Sequence, residues 1–174
     1  MFTNNIKMSF DIKYLVTLFV LGIILLCSYY YYYKTYSYSP QLWGRIKKPF
    51  IYIYYISMIL AAIGFVLLFY YLFQTIKMQQ KDIDNIFYTL LTIVIVSMFW
   101  MPLSLQYIKD KKTYLKWIII FILSIVSLSS FVLIYQVYNI NDTSLLKNLA
   151  LFGIICFSIH VFIFDNILWS LNFF

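Results

Sequence analysis

Two side chains in this sequence have the types that move protons, His160 and Asp165, and both lie in the apolar stretch Cys156-Phe-Ser-Ile-His-Val-Phe-Ile-Phe-Asp-Asn-Ile-Leu-Trp169. His160 is the one histidine of the chain, and the six acids are all aspartate. Asp11, Asp82, Asp84, Asp110 and Asp142 fall at a terminus or between apolar stretches, where a solvated charge is the simplest reading. On an ordinary α-helix five residues turn through about 500°, which leaves His160 and Asp165 roughly 140° apart and on different faces. They are therefore not expected to work as an acid/base pair. The His-x4-Asp spacing also matches glycerolipid acyltransferases, but the phosphate-binding partners of that motif are missing. No Cys-x-x-Cys or Gly-rich phosphate loop is present, and no cluster has metal-ligand spacing. Thiol oxidoreductase, nucleotide hydrolase and metalloenzyme chemistries lose their usual carriers.

The elements that must position these residues follow from composition. Of 174 residues, 64% are hydrophobic and only 11% charged, against about a quarter charged in a soluble domain. A domain of this size buries about 70% of its unfolded surface, so a soluble monomer would be left with large apolar patches. Crossing about 30 Å of hydrocarbon at 1.5 Å per residue takes about 20 apolar residues. Five stretches qualify, approximately 14–33, 50–73, 86–108, 114–138 and 148–171. The expected fold is all-α: a polytopic integral membrane protein with one bundle of five transmembrane helices occupying residues 1–174. The first stretch continues into Tyr29–Tyr33 without a small-residue cleavage site, so it reads as a retained span. Cys27 and Cys156 both lie inside spans and supply no disulfide framework.

Charge sets the expected orientation. Lys7, Lys13, Lys77, Lys81 and Lys147 belong to one side; Lys34, Arg45, Lys47, Lys48, Lys109, Lys111, Lys112 and Lys116 belong to the other. Basic loops stay in the cytosol, which places the N-terminus on the non-cytoplasmic side and the C-terminus in the cytoplasm. The sequon at Asn141 would then be non-cytoplasmic, although close to the membrane. The net charge of +7 resides in these short loops, where it anchors topology and meets anionic head groups of the lipid bilayer, so no nucleic-acid partner is expected.

An aspartate inside a span is costly, about 2.5–3.5 kcal/mol on insertion scales, which makes Asp165 a functional candidate. His160, near the middle of the same span, reads either as a packed, hydrogen-bonded interior residue or as a ligand-contacting or proton-carrying one. In the third span Ser97-Met-Phe-Trp100-Met-Pro102 sets a proline beside a tryptophan. Proline removes a helix hydrogen bond that neighbouring helices must replace, so this is either a kink that opens a pocket or a span-end break.

Three segments together resemble the TspO/MBR family, the translocator or tryptophan-rich sensory proteins. Trp43-Gly-Arg-Ile-Lys-Lys-Pro49 is similar to that family's first-loop Trp-Tyr-x-x-Leu-x-Lys-Pro. Trp100-Met-Pro102-Leu resembles its Trp-x-Pro-Leu, with Ser97 in the place of an asparagine. Phe164-Asp-Asn-Ile-Leu-Trp169-Ser-Leu-Asn172 resembles its Leu-Asn-x-x-Ile-Trp-x-Leu-Asn, with Asp165 in the place of the first asparagine. The Pro-Pro that follows Lys-Pro in the family is absent here, and the first loop is shorter. The resemblance implies a five-helix bundle with a ligand pocket beneath the first loop. It implies Trp43 and Pro49 in a lid, Trp100 and Trp169 stacking on a flat macrocycle such as a porphyrin or haem, Pro102 beside Trp100, and Val161 with Asp165 on the fifth-span wall.

The functional expectation is a non-catalytic receptor or carrier for a small apolar ligand, porphyrin- or sterol-like. The alternatives are a small oligomeric transporter or channel with a polar path at Asp165 and His160, and a structural membrane protein. A homo-oligomer stays open, although no Gly-x3-Gly pair occurs within one span.

Overall fold

The computed structural model describes residues 7–8, 11–35, 41–74 and 78–174. Lys77, one of the charges used for orientation, lies outside them. Five helices are long and apolar enough to cross a membrane: Ile12–Thr35, Lys48–Gln74, Gln80–Asp110, Thr113–Tyr138 and Leu145–Phe173. We label the regular pieces α1 (Ile12–Thr35), α2 (Lys48–Gln74), α3 (Gln80–Met98), α4 (Trp100–Asp110), α5 (Thr113–Tyr138), α6 (Leu145–Ile159) and α7 (Ser170–Phe173), with a π-helical segment His160–Trp169 joining α6 to α7. Two short strands, β1 (Lys7–Met8) and β2 (Met78–Gln79), pair antiparallel and tie the N-terminal segment to the α2–α3 loop.

The helices extend beyond the expected spans, most of all at 80–85. Lys81, Asp82 and Asp84 end the apolar stretch, yet backbone hydrogen bonding continues through them, because acidic side chains suit a helix's first turn. Asp84 has work there: its Oδ1 accepts from Tyr14 Oη at 3.0 Å and Gln80 Nε2 at 2.7 Å. Asp11 likewise starts α1 by accepting from the Lys13 amide at 2.8 Å. At the α5–α6 turn Asp142 accepts from the Ser144 amide and hydroxyl, and Ser144 in turn caps α6 through the Lys147 amide. Burial pushes the Asp142 carboxyl up, but these bonds, the Tyr71 hydroxyl and nearby Lys147 outweigh it and hold the group below its ordinary value.

The third helix breaks at Phe99, one turn before Pro102. The proline has no N–H to return to the preceding turn. Beside the break Tyr29 of α1 reaches the backbone, its hydroxyl donating to the Ser97 carbonyl at 2.6 Å. Of the two readings of Pro102, the structure shows an interruption within the span, with α4 continuing to Asp110.

Packing runs α2 on α6, α6 on α5, α5 on α3, and α3 on α1. Two cores stack along the bundle. Toward the α2–α3 and α5–α6 loops the core is mostly aliphatic, with Leu68, Ile83, Leu90, Leu133 and Ile154 buried. Toward the α1–α2 loop it gathers aromatic residues, with Tyr54, Trp169 and Phe173 beside Leu42, Met101 and Ile119. The outer surface is as apolar as the interior: Phe19, Val66, Phe121 and Phe152 are all exposed.

The tightest contact joins α2 to α6. A Cβ built on Gly64 would lie 2.7 Å from Gly153 Cα, and one on Gly153 would lie 2.5 Å from Gly64 Cα. The backbones touch, which only glycine on both helices permits. Gly153→Val should destabilise the bundle by about 1–3 kcal/mol or more through overpacking. Gly22 has nothing within 4 Å of its added Cβ, so Gly22→Ala should be neutral or stabilising by up to about 1 kcal/mol. Thermal unfolding of the two variants in detergent checks the contrast.

Candidate functional site

The α1–α2 loop is drawn down onto the last turns of the chain. After α1 the described chain resumes as one 3-10 turn, Gln41–Trp43, and then reverses at Gly44, whose φ of +54° is left-handed. A Cβ at Gly44 would come within 2.7 Å of Phe173 Cα, so glycine is needed for its conformation and for the close approach. Past it, the Arg45 amide donates to the Asn172 carbonyl at 2.9 Å, and the Arg45 guanidinium to the Leu171 carbonyl at 3.1 Å. The Trp169 indole N–H donates to the Leu42 carbonyl at 2.7 Å. These contacts clamp the loop over one end of the bundle.

Beneath the clamp lie the two ionisable residues. His160 Nε2 is 3.6 Å from Asp165 Oδ2, which corrects the expectation that they lie on different faces. Its physical reason is the π winding of residues 160–169. Hydrogen bonds from i to i+5 put more residues into each turn, so a spacing of five returns nearly to the starting face. The Ser170 hydroxyl reaching back to the Asp165 carbonyl at 3.4 Å has the same spacing.

α2 completes the cluster. The Tyr54 hydroxyl donates to Asp165 Oδ1, and Ser57 Oγ lies 3.1 Å from His160 Nδ1. In the Ser57–His160 contact either group can donate, according to which ring nitrogen carries the proton. Rings wall the cluster: Tyr54 packs edge-on against Trp43 at 5.2 Å, His160 at 5.2 Å and Phe164 at 5.6 Å between centroids. The Asp165 side chain retains 20% of its surface and that of His160 10%. Among the described residues no three metal-ligating side chains come together.

The cluster contains Trp43, His160 and Asp165 from the sequence reading. Trp100 and Trp169 meet each other beside it, with centroids 5.2 Å apart. Trp169 is only 2% exposed and stacks on Phe173 at 4.2 Å, so as placed it has no open face and serves the clamp. Trp100 is half-buried, Pro102 sits in the first turn of α4, and Pro49 is exposed at the second position of α2, where its missing N–H costs nothing. Val161 is buried in the aliphatic core and takes the Ser127 hydroxyl on its carbonyl at 3.2 Å, toward α5. Tyr54, Ser57 and Tyr29 were not singled out from the sequence. No signal in the sequence set Tyr54 and Ser57 apart, since α2 also carries Tyr52, Tyr55, Tyr70 and Tyr71.

Ser57, His160 and Asp165 are in the order of a nucleophile, base and orienting acid. Ser57, however, lies deep within α2, whose backbone N–H groups are committed to the helix. Acyl transfer needs free donors for the oxyanion, and the helix around Ser57 offers none. Compared with known proteins, the chain matches no family model, no curated protein and no solved structure.

Removing the acceptor of Tyr54 should have a measurable cost. Asp165→Leu strands a buried hydroxyl and should lower stability by about 1–3 kcal/mol, whereas Asp165→Asn retains a carbonyl acceptor and should cost less. Unfolding midpoints of the two variants in one detergent test the order.

Proposed function

We propose that the chain is a polytopic membrane protein acting as a non-catalytic receptor or carrier for a small, flat, mostly apolar ligand with one polar group. The ligand site lies under the α1–α2 loop, between α2 and the π segment. The observation that carries this reading is the meeting of Asp165, His160, Tyr54 and Ser57 within the aromatic wall of Trp43 and Phe164. In hydrocarbon such groups are expensive and mark sites of function. Apolar walls with a few converging polar groups are the usual make-up of a ligand site.

The TspO/MBR resemblance supports the same reading, because its three segments pack at one end of the bundle through the Arg45–Asn172 and Trp100–Trp169 contacts. In this proposal a porphyrin-like ring lies against the half-buried Trp43 and Trp100, with its polar edge at Asp165 and His160, and Trp169 holds the wall behind it. The lysine and arginine excess assigns the clamp and the C-terminus to the cytoplasmic face and the N-terminus to the opposite one.

Titrating the detergent-purified protein with protoporphyrin should give saturable quenching of tryptophan fluorescence near one ligand per chain. Asp165→Asn and Trp43→Phe should each weaken it by about tenfold, the worth of one charge-assisted hydrogen bond or one aromatic contact. No binding to a folded sample would remove the reading. The His160–Asp165 contact favours one other function, proton passage along a polar path, since intramembrane Asp and His chains serve as proton relays. That function predicts proton flux in liposomes that falls in Asp165→Asn, and flux no greater than in empty vesicles would exclude it.

A further inference from the structure

The end of the bundle that carries the clamp also carries almost the whole net charge of +7. Eight basic residues of the α1–α2 loop, the α4–α5 turn and the adjoining helix ends stand there against one acid, Asp110, whereas the segments of the opposite end set five lysines against four aspartates. Among the described residues the one contact within 4 Å between a basic side chain and a carboxylate is His160 with Asp165. No acid therefore neutralises the cations around the clamp.

Three of those cations form a collar about residues 171–174. The Arg45 guanidinium is held on the Leu171 carbonyl. Lys116 Nζ lies 5.1 Å from the centroid of the Phe174 ring, and Lys111 Nζ 5.1 Å from that of Tyr107. Tyr107 packs on Phe174 and Phe173, with centroids 4.9 and 5.5 Å apart, and Phe173 stacks on Trp169, whose indole closes the clamp. A ring face attracts an ammonium electrostatically and accepts none of its protons in an ordinary hydrogen bond, so both lysines keep donors for an anion. The level of the collar identifies that anion. Tyr114 and Trp117, both exposed on the first turns of α5, are residues of the membrane–water interface, where ring and head group meet. Basic side chains at that depth reach lipid phosphates. A choline head group neutralises its own phosphate, whereas phosphatidylglycerol and its like present a net negative charge.

We propose that an anionic phospholipid seats its phosphate on the collar of Arg45, Lys111 and Lys116 and thereby holds the clamp closed. Without a counter-charge the three cations repel one another across the segment they share. With the phosphate in place that repulsion is removed, and the Arg45 and aromatic contacts to residues 171–174 tighten together. The seat shares no side chain with the cluster at Asp165, and its test needs no ligand of that cluster.

The experiment compares the full chain with a collar variant, Lys111→Gln with Lys116→Gln, and with a charge-matched variant of the opposite end, Lys13→Gln with Lys81→Gln. Native mass spectrometry reads the lipid retained from an equimolar mixture of phosphatidylglycerol and phosphatidylcholine. Hydrogen exchange within residues 41–47 and 168–174 reads the clamp in phosphatidylcholine nanodiscs with and without phosphatidylglycerol. The unaltered chain and the opposite-end variant should retain phosphatidylglycerol preferentially and exchange more slowly in its presence. The collar variant should lose that preference by about fivefold or more, the worth of one to two lysines near a head group, and its exchange should not respond. Lys111→Arg with Lys116→Arg should keep both properties. Equal retention of the two lipids by the unaltered chain, equal loss in the two glutamine variants, or exchange that phosphatidylglycerol leaves unchanged would each overturn the proposal. So would equal slowing by soluble glycerol phosphate, which would make the ligand a free anion, or by polyglutamate, which would make it an acidic protein.

Discussion

The backbone contact of Gly64 with Gly153 sets the register on which the rest of the molecule depends. α2 and α6 run antiparallel, so residues equally far before Gly64 and after Gly153 come to the same level. Ser57 precedes Gly64 by seven residues and His160 follows Gly153 by seven, which is about two helical turns on each side. The 3.1 Å contact between those side chains is the direct consequence. A larger residue at either glycine would push the helices apart and break the Ser57–His160 contact before touching either residue. Ala61 and Ala150, both buried, extend the close approach along the same pair of helices.

Above that level the π segment alters the second ingredient, the angular order of side chains. With ordinary α winding, His160 and Asp165 would diverge and only one of them could face α2. With i to i+5 winding both do, and Tyr54 and Ser57, one turn apart on α2, receive one each. The departure from α geometry occupies the segment where the polar side chains converge, in keeping with the frequent occurrence of π turns at functional sites. Ser127 and Ser124 of α5 brace the other side of the segment through the Val161 carbonyl and the Asn166 amide.

These two ingredients explain what could and could not be read from the sequence. Helix number and approximate place were legible because long apolar stretches between charged loops leave few other solutions, and the five helices found overlap the five stretches expected. Their ends were less so, since Lys81, Asp82 and Asp84 interrupt hydropathy without interrupting the helix. His160, Asp165 and Trp43 could be chosen by type, being rare or costly where they stand. The relation between His160 and Asp165 could not, because composition does not reveal a change of winding. Nor could the glycine contact, whose members are 89 residues apart on different helices, so that no motif within one span announces it. Tyr54 was hidden among 18 tyrosines.

The clamp over the aromatic core joins residues remote in the chain, Leu42 to Trp169 and Arg45 to Leu171, with separations of 127 and 126 positions. During synthesis the N-terminal elements emerge first. The α1–α2 loop therefore waits through the making of four further spanning helices before its partners exist. Until then Gly44 has no chain to approach, and the Leu42 carbonyl has no indole to accept from. The aliphatic core can begin earlier, since Leu68, Ile83, Leu90 and Leu133 belong to elements already made. The aromatic half and the polar cluster beneath it therefore close only once the end of the last helix has been made.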